Sequence, residues 1–121
     1  MKTITKQFLR DNPDAVFVFG DNLKRRGKAG AALLRDEPNS YGFITKKYPS
    51  NDDSSFYHPA EYKKVFDDEM VKLIRMIKQN SNKTFYISPI GSKLANRYNI
   101  YSNVIEPGLK QLEKYDNVVI M

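Results

Sequence analysis

With 121 residues, 40% of them hydrophobic and 28% charged, the chain has the size and composition of one globular domain, not of a disordered segment. It is long enough to bury roughly two thirds of the surface that its unfolded form exposes. It has no cysteine and a single histidine, His58, which excludes a disulfide framework or thiolate site and leaves little for zinc, so neither metal nor cofactor is expected. The net charge of +6 favours anionic partners by raising their local concentration.

In chain order, Met1 to Arg10 carries Lys2, Lys6 and Arg10 without the apolar run of a signal peptide. No stretch approaches the roughly 20 apolar residues of a membrane span, so a cytoplasmic location is expected. The run Ala15 to Phe19, between polar residues and Gly20, reads as a strand buried on both faces. Tyr41 to Lys47 is a second short strand, and Tyr48 to Pro59, rich in Pro, Ser, Asn and Asp, is a loop within the domain.

Pro59 fits a first helical position. Beyond it Tyr62, Val65, Phe66, Met70, Leu73, Ile74 and Ile77 recur at helical spacing, opposite Lys63, Lys64, Asp67, Asp68, Lys72 and Lys78. Asn80 to Asn82 ends that helix, and Thr84 to Ile87 forms the next strand. A shorter helix is expected from about Pro107 to Tyr115, and a buried strand over Val118 to Met121. Strands separated by helices imply crossover connections and a mainly parallel or mixed sheet with helices on its faces. Ligands of such sheets bind outside the carboxyl ends of the strands, which directs attention to the segments after Phe19 and Ile87.

The first segment opens with Gly20, Asp21 and Asn22, where a carboxylate or amide could bond ribose hydroxyls or a base. Gly27, Ala29, Gly30, Ala31 and Ala32 then allow close backbone approach. A helix beginning near Gly30 would turn its free N–H groups toward an anion, with Lys24, Arg25, Arg26 and Lys28 adding attraction. The same residues also read as a plain turn with a solvated basic face. The spacing excludes a Walker loop and the three-glycine dinucleotide pattern.

In the second segment Ser88, Ser92 and the backbone around Gly91 can donate to phosphate oxygens, Lys93 and Arg97 can neutralise them, and Tyr98 can cover a base or ribose. A strand-to-helix turn with Lys93 and Arg97 in water is the alternative. Thr45, Lys46 and Lys47 border the expected cleft, and Tyr41, Tyr86 and Tyr98 are the candidates for stacking. His58 precedes a proline at a helix start and reads as a capping or loop residue.

Together the segments VFVFGDNLKRRGKAGAALL, YGFITKK and FYISPIGSKLANRYNIYSNVIEPGLKQLEKYDNVVIM resemble the macro domain-like proteins of phages and bacteria, relatives of the ADP-ribose-binding macro domains. The resemblance covers roughly three quarters of the chain and implies one three-layer α/β/α macro-like domain over residues 1–121, with a mixed, mainly parallel sheet. It places Asn22 near a distal ribose, Gly30 and Ala31 beside the ligand, and Ile90, Gly91 and Ser92 around a diphosphate.

The ligand-binding set expected from residues and resemblance is thus Gly20, Asp21, Asn22, Arg26, Lys28, Gly30, Ala31 and Thr45 from the first half. Ser88, Pro89, Ile90, Gly91, Ser92, Lys93, Leu94 and Arg97 complete it. The expected function is binding of an ADP-ribose-related or other phosphorylated nucleotide, with sequestration of a nucleotide signal as one use. An ADP-ribosyl hydrolase in which Asp21 or Lys28 assists the attack is the second reading. A nucleic-acid-binding protein using Lys24, Arg25, Arg26, Lys28, Lys46, Lys47, Lys93 and Arg97 to track phosphates is the third. No membrane partner is expected, and oligomeric state is left open.

Overall fold

The structure is a computed structural model that describes residues 3–121. Its main elements are helix α1 (Lys6–Asp11), strand β1 (Ala15–Asn22), a 3₁₀ stretch (Gly30–Leu34), β2 (Ser40–Lys46), helix α2 (Pro59–Gln79), β3 (Thr84–Ile87), a helical stretch containing α3 (Glu106–Leu109), and β4 (Val118–Ile120). The four strands form one sheet in the order β2-β1-β3-β4. Every pairing in it is parallel, so the fold is α/β, and the expected mixed sheet gives way to a uniformly parallel one. The only antiparallel contact among the described residues is an isolated bridge between Lys46 and Phe56, outside the sheet.

Alternation along β1 divides the core. Val16 and Val18 face a large cluster built with Phe66, Leu73 and Ile77 of α2 and with Ile100, Ile105 and Leu112. Ala15, Phe17 and Phe19 face a smaller one completed by Leu9 of α1 and by Ala32 and Leu34. Burial on both faces explains the unbroken apolar run, since a parallel strand covered on each side has no polar face. Each large side chain removed from water this way contributes roughly 1.5–3 kcal/mol.

β1 runs three residues further than its apolar run, through Gly20, Asp21 and Asn22, with an irregularity against β2 between Asp21 and Asn22. α2 starts at Pro59, as its sequence signals require, and the N–H of His58 at its N-cap donates to Glu61 Oε1 at 3.0 Å. The helix expected near Gly30 is only the five-residue 3₁₀ stretch. The shorter helix expected from Pro107 begins earlier, as a π-helical turn over Tyr101–Ile105, continues through α3 and tightens to 3₁₀ at Lys110–Leu112. Pro107 has no N–H to give an ordinary helical ladder, and a widened turn is one way to absorb that loss.

The segment expected as a loop from Tyr48 to Pro59 is one up to His58, with a 3₁₀ turn at Asp53–Ser55, and Phe56 and Tyr57 anchor it in the core. β4, expected to be buried, is an edge strand with Val119 and Ile120 about two-fifths exposed (41% and 42%). Among the described residues no helix is long and apolar enough to cross a membrane.

The opposite edge is closed. On β2, the N–H of Ile44 donates to Glu69 Oε1 at 2.8 Å and its carbonyl accepts the Tyr62 hydroxyl at 2.6 Å. Two side chains of α2 thus take the place of a further strand and satisfy an edge that would otherwise be open to pairing.

Candidate functional site

The chain leaves β1 toward β2 on one side and returns to β3 on the other, so the seam between β1 and β3 is a topological switch point, where open α/β sheets form their ligand crevice. A cleft of about 390 Å³ lies there. Gly20, Asp21 and Asn22 at the end of β1, with Arg26, Gly30 and Ala31 beyond it, form one wall. Ser88, Pro89, Ile90, Gly91, Ser92, Lys93 and Leu94 form the other, and Thr45 of β2 joins them. Fourteen of the sixteen expected ligand-binding residues therefore meet; Lys28 and Arg97 are not among the lining residues. Gly27, Ala29, Ala32, Arg35, Lys46 and Pro49 also line it.

Close backbone approach shapes the floor. A Cβ on Gly20 would stand 3.1 Å from the Thr45 hydroxyl oxygen. Gly91 has a φ of +72°, and a Cβ there would come within 2.3 Å of Ile105 Cδ1, so only glycine fits. Ser88 closes the seam by donating both its N–H (3.1 Å) and its hydroxyl (2.8 Å) to the carbonyl of Val18. Ser92 donates its hydroxyl to the carbonyl of Pro89 at 2.5 Å. These serines hold the loop's form while their oxygens remain able to accept.

Gly91 is buried against the cleft, yet its N–H has no acceptor among the described residues. The N–H groups of Gly27, Ala29 and Lys93 are likewise without a protein acceptor. Buried backbone donors are nearly always paired, so an unpaired one lining a cavity marks where an external acceptor fits.

The polar groups have unequal freedom. Asp21 accepts from Asn22 N–H (2.8 Å) and Arg35 Nη2 (2.6 Å) on Oδ1, and from Arg35 Nη1 (3.1 Å) and Arg25 Nη1 (3.4 Å) on Oδ2. Those four bonds occupy the lone pairs of both oxygens, which leaves none for a ribose hydroxyl or for proton abstraction. Arg35, stacked 5.3 Å over Phe19, also donates to the carbonyl of Gly27 at 2.8 Å, so it ties strand end to loop. Asn22 donates to the carbonyl of Arg26 at 2.8 Å and accepts the N–H of Lys24 at 3.0 Å, which fixes the loop's first turn.

Lys28 pairs with Asp36 at 2.5 Å, and that contact holds the Asp36 carboxyl below its usual range. Arg97 pairs with Asp53, and Tyr98 stacks on His58 with ring centres 3.9 Å apart. Tyr41 packs against the larger core, and burial, followed by the nearby Glu69 charge, raises its phenol. Lys46 lies over the Phe56 ring at 4.8 Å, and burial, then the charge of Arg97, lowers its ammonium from the ordinary value.

Arg35 carries no local signal in the sequence, because its partner Asp21 is fourteen residues away. Lys46 is recognisable only as a neighbour of Thr45. Among the described residues no group of three His, Cys, Asp or Glu is placed to hold a metal ion.

Comparison with known proteins gives one match. Residues 1–97 match a family described as "Family of unknown function (DUF7831)", a span that includes both walls of the cleft and leaves out α3 and β4. No curated protein and no solved structure shows significant similarity.

Proposed function

The chain belongs to DUF7831, a family of unknown function, and from the geometry of its cleft we propose that it binds a phosphorylated nucleotide, with ADP-ribose-related compounds the leading class and sequestration of a nucleotide signal its use. The observation that carries this reading is the unpaired Gly91 N–H in the wall of a cleft at the β1/β3 switch point. A phosphate oxygen supplies the missing acceptor, and Arg26, Lys46 and Lys93 stand on the same lining with their charges unopposed by any carboxylate within ion-pair reach among the described residues. Apolar surface from Ala29, Ala31, Ile90 and Leu94 suits the body of a nucleoside. The volume falls at the small end of ligand pockets, which favours one nucleotide-sized compound over a polymer.

A thermal-shift series with ADP-ribose, NAD, cyclic dinucleotides and mononucleotides tests the reading. At a hundredfold excess over Kd, binding adds about 2.7 kcal/mol of stability, which is on the order of 10 °C in melting temperature. A selective rise supports the proposal; no rise with any of them overturns it.

The geometry favours binding over hydrolysis, because the two groups considered for catalysis are committed elsewhere, Asp21 to Arg35 and Arg25, Lys28 to Asp36. It also favours a cleft ligand over nucleic acid. Of the basic residues expected to track phosphates, Arg25, Lys28 and Lys47 are paired with carboxylates.

A further inference from the structure

At the rim of the cleft two cations share one aromatic ring. Lys46 Nζ is 4.8 Å and Arg97 Cζ 4.3 Å from the centre of the Phe56 ring, so their charges lie within about one Debye length of each other at physiological salt. Phe56 is itself buried and is held beside Lys46 by the antiparallel bridge between their backbones. The neighbouring N–H of Lys47 donates to the carbonyl of Ser55 at 2.8 Å, which secures the same contact. The bridge thus sets the Phe56 ring within reach of the Lys46 stem.

Charge balance there is incomplete. Arg97 pairs with Asp53 through one Nη, and Asp53 is 80% exposed, so the guanidinium keeps most of its donors. Lys46 has no carboxylate within 4.0 Å among the described residues. The one carboxylate lining the cleft, Asp21, is saturated by Arg35 and Arg25. Holding two like charges together over a ring disfavours the ligand-free state, and an anion between them removes the cost.

We propose that Lys46 and Arg97 form a second anion subsite at the rim of the cleft, which takes a phosphomonoester of the bound nucleotide separate from the phosphate at Gly91. The ligand class is then a nucleotide with two separated phosphate groups, one held by backbone donors and the other by a point charge beside a fork of N–H groups. The inference rests on the nucleotide reading of the cleft. The lowered ammonium of Lys46 accords with it, since a phosphate at this spot would restore the proton's affinity.

The test is calorimetric titration of the protein with two pairs of compounds that differ by one phosphomonoester: AMP against adenosine 3′,5′-bisphosphate, and NAD against NADP. In at least one pair the more phosphorylated compound is expected to bind tenfold or more tightly. In Lys46→Met, which keeps the apolar stem over Phe56, that difference should vanish. The ligand-free variant should melt at or above the wild-type temperature, because a like-charge contact has been removed. Equal binding within both pairs by the wild type overturns the subsite and leaves the nucleotide reading standing. So does a difference that survives in Lys46→Met, or a ligand-free variant that melts well below wild type, which would make Lys46 a support for Phe56. If neither member of either pair binds, the nucleotide reading falls and the subsite with it.

Discussion

Four hydrogen bonds converge on the Asp21 carboxylate, and a Cβ on Gly42 in the neighbouring strand would sit 2.3 Å from its Oδ2. The residue fills a slot that the backbone leaves only because Gly42 has no side chain. Its partner Arg35 is itself 14% exposed, so removing the charge from one side strands the other. Asp21→Asn is accordingly expected to destabilise the protein by about 3 kcal/mol, measured by urea unfolding. A variant of unchanged stability that no longer binds nucleotide would assign Asp21 to the ligand instead. Glu61 is a milder case at the start of α2. The N–H of His58 holds its carboxyl below the ordinary value of 4.5, against the opposing effect of burial, and Lys47 adds to the lowering. A carboxyl depressed by folding contributes stability above its unfolded pKa and loses it as pH falls through the folded one. The stability difference between wild type and Glu61→Gln should therefore be constant near neutrality and shrink as pH drops below about 4.5. A difference that does not change in acid would mean that the cap is formed equally well by an uncharged side chain.

At the scale of elements, the closed edge of β2 makes the sharpest claim. Glu69→Ala leaves the Ile44 N–H without its acceptor, at a cost of about 1–3 kcal/mol, and hydrogen exchange at that amide should accelerate more than at amides in the middle of β1. Equal protection in the variant would mean that water already serves this edge. Glu69 also marks where sequence patterning stops being informative. Its neighbours Phe66, Met70 and Leu73 are legible as core from their spacing alone, whereas a glutamate on the same face is buried because of a strand it cannot know about locally. β1, α2 and β3 were legible for the same reason: unbroken apolar runs or a helical period, bounded by Pro, Gly and Asn. α1 and the π-helical turn at Tyr101 were not, one being short and amphiphilic in no clear period, the other set by Pro107 and by packing. β4 reads as buried from Val118–Ile120, but burial depends on a covering layer that an edge position lacks. The two walls of the cleft followed from chain order, since loops after parallel strands converge. The pairing of Asp21 with Arg35, and the placing of Lys46 beside Arg97, are long-range contacts that no local spacing announces.

For the whole molecule, the +6 charge resides in cations left outside the ion pairs, and three of these, Arg26, Lys46 and Lys93, meet at the cleft. A ligand held by few, partly buried charges should lose affinity only gradually with salt, in contrast to the steep, linear log–log loss of a protein that tracks nucleic-acid phosphates. Titration of the bound nucleotide between 50 and 200 mM salt, a range in which phosphate-tracking proteins lose about 10³–10⁵ in affinity, distinguishes them; a loss of that size would favour nucleic acid. The uniformly parallel sheet also has a consequence for how the protein comes into being. β1 pairs with β2 on one side and with β3 on the other, so its second edge stays open until translation has passed Ile87. At roughly 5–20 residues per second that is several seconds in which one of the chain's most apolar segments waits uncovered on the ribosome. The cleft lies on this late-forming seam. A ligand of that cleft would therefore meet an already folded molecule, and would act by slowing its unfolding rather than by hastening its assembly.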